Sequence, residues 1–312
     1  MILGIDTSNY TTSVALYNPK DNSMHSFKKL LPVPEGQKGL RQSDAVFHHT
    51  MQIRDLITEA FKISNEITAV GVSVRPCDND GSYMPCFMVG ETVAISVANA
   101  LNVPLYRFSH QCGHIAAALF SADRLDLIDK KFIAFHFSGG TSDALIVSPD
   151  RLRIISCDLI AKSTDLKAGQ AVDRAGVMLG LPFPAGKYLD KLARESTAEF
   201  KIKPSFVGNN PSFSGVENKA EKMLKDGKNS NDIAKYVISY IESVVIKMTE
   251  NVLNEYGELP IVYAGGVMCN SIIRESLSGK FNCYFAKPEY SSDNAAGAAI
   301  LAYEKEKING CR

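Results

Sequence analysis

The chain has no excess of either charge. Its 34 Lys and Arg balance 34 Asp and Glu, so no global basic field advertises nucleic-acid binding, although a local patch stays open. It has no Cys-x-x-Cys pair: seven Cys stand scattered at 77, 86, 112, 157, 269, 283 and 311. An odd, dispersed set without a secretory leader predicts reduced thiols and a cytoplasmic protein. Met1-Ile-Leu-Gly-Ile-Asp6 runs straight into a strand pattern, so the N-terminus does not read as a leader. No apolar run approaches the ~20 residues of a membrane span, so no membrane association is expected. Neither Gly-x-x-x-x-Gly-Lys-Ser/Thr nor Gly-x-Gly-x-x-Gly occurs, which leaves the P-loop and dinucleotide readings without support. No Ser/His/Asp or Cys/His arrangement for nucleophilic catalysis is visible either.

What is present is enough to build a large structure. The 312 residues are 45% hydrophobic, ample for one large domain or two packed lobes. Strands are predicted at 2–5, 13–17, 68–74, 105–108, 132–137, 144–147, 260–264 and 281–285. Helices are predicted at 41–63, 86–101, 109–118, 168–180, 185–196, 233–256, 270–277 and 292–305. A strand, a polar turn and a returning strand occur near residue 5 and again near residue 137. This weak duplication predicts two α/β lobes with a cleft between them. Residues 196–230, rich in Lys, Asn, Ser and Gly, read as a surface excursion. Lys28, Lys29, Lys38 and Arg41 form a modest basic segment of the kind that is usually a solvated face.

The most informative stretch is Ser109-His-Gln-Cys-Gly-His-Ile-Ala-Ala-Ala118. His110 and His114, at i and i+4, lie one above the other on a helix face. Both imidazoles then reach one divalent ion, as in other His-x-x-x-His motifs. No Glu follows the first His, so a metalloprotease would lack its base. The alternative is two His at a helix start, one capping and one solvated. Asp293, in Ser292-Asp-Asn-Ala-Ala296, either caps the last helix or completes a His-His-Asp set with an open position. Such a set suits Fe, Zn or Mn.

Three polar turns follow apolar strands: Asp6-Thr7-Ser8, Ser138-Gly139-Gly140-Thr141 and Gly265-Gly266-Val267. Each is either an ordinary turn or a place where backbone N–H groups meet a phosphate or sugar. Asp173, among small residues on a predicted helix, either accepts ribose hydroxyls or pairs with a basic neighbour at the surface. Gly186 stands at a predicted helix start that could approach a ligand.

Together these motifs resemble the tRNA threonylcarbamoyladenosine synthase family, the TsaD type also known as glycoproteases, essentially end to end. The resemblance implies an α/β, two-lobed sugar kinase/Hsp70/actin-like (ASKHA) fold with duplicated α/β subdomains. It places residues 1–108 in the first lobe, completed by the C-terminal helix 292–306. Residues 109–291 form the second lobe, with the metal helix, the nucleotide loops and the excursion near 196–230. Ile2-Leu-Gly-Ile-Asp-Thr-Ser8 matches the family's opening strand and loop, and Ser212-Phe-Ser-Gly215 a further signature. The resemblance assigns His110, His114 and Asp293 to one divalent metal. It assigns Phe137, Ser138, Gly139, Gly140, Asp173, Gly186 and Asn270 to ATP or threonylcarbamoyl-adenylate.

The sequence also departs from the family pattern. Asn9-Tyr10-Thr11 stand where a Cys and acidic residues are usual. Thr141 replaces the His of Ser-Gly-Gly-His-Thr. Arg75-Pro76-Cys77, with an insertion through Tyr83, replaces Gly-Pro-Gly. These changes gather on the expected acceptor side, as in a divergent paralogue. The expected activity is metal-dependent transfer of a threonylcarbamoyl group from its adenylate to a tRNA adenosine. TsaB-like and TsaE-like proteins are the implied partners. The alternatives are a carbamoyltransferase with a non-tRNA acceptor and a non-catalytic nucleotide-binding subunit. No catalytic residue is assigned; Asp6, Ser8, Asn9 and Thr12 are the candidates.

Overall fold

The structure, a computed structural model, describes residues 1–8, 10–32 and 40–310. Asn9 and Lys38 lie outside the described residues. The chain divides into two compact units. Unit 1 is Met1–Lys130, Ser148–Cys157 and Ser292–Arg312; unit 2 is Lys131–Val147 and Asp158–Ser291.

Unit 1 is built on β1 (Ile2–Asp6). All five of its residues are buried, as expected of a strand covered on both faces. It pairs antiparallel with β2 (Thr11–Asn18), which pairs with β3 (Ser23–Leu30). On its other side it runs parallel to β4 (Ala69–Arg75), and β4 runs parallel to β5 (Leu105–Ser109). The order is β3-β2-β1-β4-β5. Helix α1 (Gln42–Ile63) buries Ala45, His49, Gln52, Ile53, Leu56 and Ala60, a stripe at helical spacing. With α2 (Phe87–Leu101) it closes a core that includes Leu3, Ile5, Val14, Leu16, Val70 and Val72.

β5 passes without a linker into α3 (His110–Ser121), whose N-cap is Ser109: its hydroxyl accepts from Cys112 N at 3.3 Å. Helix α9 (Ala296–Gly310) packs on α3. A Cβ at Gly297 would overlap the Gly113 carbonyl, so the two backbones meet where only glycine fits. This packing corrects the boundary at residue 108: the helix that carries His110 and His114 belongs to unit 1, because α9 holds it there. The last helix also begins later than expected, at Ala296, and Asp293 precedes it in a bend. Asn294 Oδ1 accepts from Ala296 N at 3.1 Å.

Unit 2 repeats the topology. β6 (Phe132–Phe137) pairs antiparallel with β7 (Ser142–Asp150) and parallel with β11 (Ile261–Ala264), which runs parallel to β12 (Cys283–Phe285). With β8 (Ile154–Lys162) the order is β8-β7-β6-β11-β12, position for position that of unit 1. The strand–turn–strand duplication seen in sequence is thus the start of a repeated five-stranded sheet. Helices α4 (Ala168–Met178), α5 (Gly186–Glu195), α6 (Ser214–Lys225) and α7 (Ser230–Tyr256) contribute to its core with Phe135, Phe137 and Tyr263. Tyr263 stacks on Phe135 with centroids 5.1 Å apart, and its hydroxyl lies 2.7 Å from that of Thr249.

Residues 196–230 are less of an excursion than their composition suggests. They hold a short hairpin, β9 (Ser205–Val207) with β10 (Asn210–Ser212), and then α6. Phe213, Val216, Ala220 and Met223 lie in the unit 2 core. Asp165 fixes the turn into α6, accepting from Ser212 Oγ at 2.6 Å and Phe213 N at 2.8 Å. The polar residues that suggested a loop occupy the exposed face. Among the described residues no helix is long and apolar enough to cross a membrane.

Candidate functional site

The spacing of His110 and His114 on α3 stacks their rings edge to face, with centroids 4.2 Å apart. Asp293 Oδ1 lies 3.6 Å from His110 Nε2 and 3.3 Å from His114 Nε2. One donor atom from each of the three residues falls within 4.8 Å of the others. Donors held about 2.0–2.1 Å from a tetrahedral ion stand roughly 3.3 Å apart, so the set fits a divalent metal. His110 Nδ1 meets Asp6 Oδ2 at 2.8 Å, and Asp6 Oδ1 accepts from Ser8 N at 2.9 Å. A carboxylate on the far nitrogen is the usual orienting partner of a metal-binding His. Burial alone would lower the His110 pKa, but Asp6 and Asp293 outweigh it and push it up to about 10. Burial also disfavours charge on Asp6 and Asp293, yet the facing imidazoles hold both below the usual carboxylate range. Two carboxylates around two imidazoles thus favour positive charge here, from a proton or from a divalent cation.

Of the other residues singled out near the N-terminus, Asp6 and Thr12 have defined side-chain partners. Asp6 orients His110. Ser8 Oγ is buried without a hydrogen-bond partner among the described residues. Thr12 Oγ1 donates to Gln52 Oε1 at 2.8 Å and lies 2.9 Å from His49 Nδ1, so its hydroxyl is committed to α1. The 75–85 loop is pinned by Asp78. That carboxylate pairs with Arg75 at 2.9 Å and Arg153 at 3.6 Å, and Cys112 Sγ of α3 lies 3.2 Å from it.

In unit 2, the turn after β6 is closed by its own hydroxyls. Ser138 Oγ accepts from Gly140 N and Thr141 N, each at 3.1 Å. It lies 3.0 Å from Thr141 Oγ1, which lies 3.2 Å from His136 Nδ1. The start of α4 docks on this turn: Gly169 N donates to Ser138 O at 3.0 Å, and Ala168 N to Ser142 Oγ at 2.9 Å. Gly139 and Gly140 are exposed. Phe137 is fully buried in the unit 2 core.

Asp173 Oδ1 accepts from Ala185 N at 2.8 Å, tying α4 to the start of α5 at Gly186. Burial raises the Asp173 pKa, and that N–H only partly offsets it. Asp173 also lines a surface pocket with Arg174, Val177, Met178, Phe183 and Glu217. Asn270 caps α8 (Ser271–Ser278), its Oδ1 accepting from Ile273 N at 3.1 Å. Its Nδ2 donates to Asp190 Oδ1 at 3.0 Å, and Ser271 Oγ lies 2.8 Å from Asp190 Oδ2. Sequence reasoning missed Asp190. The available signal was its place four residues after Gly186, on the same face of α5.

A family model described as tRNA N6-adenosine threonylcarbamoyltransferase, TsaD, matches residues 34–300. The chain belongs to the TsaD family. A relative of that same name from Christiangramia forsetii is 30% identical over 273 residues, covering 82% of this chain and 79% of the relative. Another, from Brachyspira hyodysenteriae, is 31% identical over 325 residues, covering 99% and 92%. Solved structures share the fold at low identity. HypF from T. kodakarensis has a TM-score of 0.59 at 14% identity, covering 99% of this chain and 48% of its own. This chain therefore spans about half the length of that protein. Component A of the Acidaminococcus fermentans (R)-2-hydroxyglutaryl-CoA dehydratase has a TM-score of 0.56 at 16% identity, covering 98% of both chains. A ROK family glucokinase from Streptomyces griseus has a TM-score of 0.54 at 12% identity, covering 97% and 99%. The fold is therefore ASKHA-type, as the motifs led one to expect. As a TsaD member, the chain is an acyltransferase of the threonylcarbamoyl class. The departures at 9–11 precede the matched span, whereas the His pair, Asp293 and the 138–141 turn lie inside it.

Proposed function

We propose that this TsaD-family chain is a metal-dependent transferase that moves a threonylcarbamoyl group from its adenylate to the exocyclic amine of a tRNA adenosine. The observation that carries the reading is the His110–His114–Asp293 set with Asp6 behind it. A bare helix cap would not need a buried carboxylate on the far side of His110. His110, His114 and Asp293 would hold the metal; when bound it supplies a Lewis acid for the carbamoyl oxygen. Asp6 fixes the His110 ring through Nδ1 and so presents Nε2 to the ion. The exposed Gly139 N–H and the Thr141 hydroxyl offer donors to phosphate, the other N–H groups of the 138–141 turn being bonded within it. Asp173 offers its carboxylate to the ribose hydroxyls, and the brace between Asn270 and Asp190 shapes the adenine side. Fe, Zn and Mn all suit this donor set.

A second reading keeps the donor and changes the acceptor. It is favoured by the 75–85 loop, which Asp78 locks against α3 and Arg153 in place of the family's Gly-Pro-Gly. The test supplies threonylcarbamoyl-adenylate, each candidate metal and unmodified tRNA to the purified chain, with and without TsaB-like and TsaE-like proteins. Digestion and nucleoside analysis then follow the product. Threonylcarbamoyladenosine in the tRNA is the expected result. Consumption of the adenylate with no tRNA product under any combination would instead favour the second reading.

A further inference from the structure

His136 is the penultimate residue of β6, paired across the sheet with Asp143 on one side and Ala264 on the other. Its half-buried ring lies beside the loop that follows β11. A Cβ at Gly265, where φ is +95°, would come within 2.9 Å of His136 Cδ2. No sequence motif marks this His. It stands five residues before Thr141, the position at which the family pattern has an imidazole.

Counting protons fixes what His136 does in the turn. Ser138 Oγ accepts two N–H bonds, from Gly140 and Thr141, which fills both its lone pairs. Its one proton is left for Thr141 Oγ1, 3.0 Å away. Thr141 then has one lone pair and one proton to place, and its remaining neighbour is His136 Nδ1 at 3.2 Å. With Nδ1 bare, Thr141 donates its proton inward to the ring. With hydrogen on Nδ1, the ring donates to Thr141, whose own proton is released toward the exposed side of the turn. An anionic oxygen accepts hydrogen bonds and donates none, so an anion at the turn selects the second arrangement.

The geometry points to His136 as a positioning residue for the phosphoryl group of the adenylate, acting through the Thr141 hydroxyl. The imidazole that the family pattern sets at the turn itself is here moved back along β6, and Thr141 relays its donor character. The inference rests on the nucleotide reading above. No net proton is gained or lost: the ring exchanges its Nε2 hydrogen for one on Nδ1.

The test uses the full chain with AMP and adenosine as probes, which differ by the phosphate alone. Calorimetry should show His136→Val and Thr141→Val each weakening AMP by about tenfold, the worth of a hydrogen bond to a charged group. Adenosine should bind all variants as it binds the wild type. The His136→Val/Thr141→Val pair should be no weaker than either single change, because both break one relay. Thr141→Ser should keep AMP binding, and Thr141→His in the His136→Val background should restore it. Histidine 15N spectra of the wild type give a readout independent of any variant's folding. AMP should move the His136 hydrogen to Nδ1, and adenosine should not. Unchanged AMP affinity in a folded His136→Val, equal losses for the two probes, additive losses in the pair, or a ring unmoved by AMP would each overturn the relay while leaving nucleotide binding in place. A wild type that binds neither probe would overturn the nucleotide reading, and the relay with it.

Discussion

His49 is fully buried on α1, with Nδ1 against Thr12 and Nε2 without a hydrogen-bond partner among the described residues. Burial lowers its pKa from the ordinary 6.5 to about 4, although Asp6 and Asp293 pull the other way. In the unfolded chain it takes up a proton near pH 6.5; in the folded chain it resists until about pH 4. Stability is therefore lost as the pH falls through that window, by about 3 kcal/mol from this group. Denaturant titrations of His49→Asn, which keeps a group near Nδ1, should lack most of that slope; a slope equal to the wild type's would assign the acid sensitivity elsewhere. Asp6 yields a second expectation. Asp6→Asn keeps the shape but removes the charge behind His110, so metal affinity should fall about 10–100-fold. A competition titration against a chelator reads this directly, and an unchanged affinity would leave Asp6 a purely structural role. The two residues were unequally legible. Asp6 stood out in a polar turn after a strand, whereas its bond to His110 joins residues far apart in the chain. His49 was hidden inside a helical stripe of otherwise apolar positions.

Elements were legible where their hydrophobic pattern was strong. α1, α2, β4 and β6 lie within a residue or two of their expected bounds, because continuous or periodic apolar runs mark them. β3 was missed: as an edge strand, its Ser23-Met-His-Ser-Phe-Lys-Lys-Leu30 is largely exposed and shows little alternation. α6 does not stand out in sequence because mostly polar and charged residues surround its Val216–Ala220–Met223 stripe. The late start of α9 escaped notice because Ser292, Asp293 and Asn294 are all good caps, and spacing alone does not choose among them. The contact between α3 and α9 leads to a prediction of its own. Gly297→Ala must push the helices apart at Gly113, an overpacking cost of about 1–3 kcal/mol. The same displacement separates the His pair on α3 from Asp293, just before α9. Thermal unfolding should show the lower stability, and elemental analysis a reduced metal content. Full metal content in a destabilised Gly297→Ala would mean that the three ligands do not depend on this packing.

For the whole molecule, the zero net charge sets the terms of any encounter with tRNA. Phosphate neutralisation by Lys and Arg supplies most non-specific affinity and makes it salt-dependent. A chain with 34 basic and 34 acidic residues should hold tRNA weakly on its own. Fluorescence titrations across salt concentrations should give a shallow slope, steepening when a partner protein adds basic surface. Tight, strongly salt-dependent binding by the isolated chain would contradict this. Repetition of one sheet order in both units was only hinted at in sequence, since strand neighbours are set by tertiary contacts that a linear pattern does not record. That arrangement also has a consequence for how the protein is made. The proposed metal set draws on residues 110, 114 and 293, in a unit whose last segment begins at Ser292. A ribosome that has delivered all of unit 2 has still produced only two of the three ligands. The last of them, and the helix that holds α3 in place, emerge only after unit 2 has been made. If the proposed site holds an ion, its capture waits for Asp293, and nascent chains stalled before Ser292 should be metal-free even when unit 2 is complete.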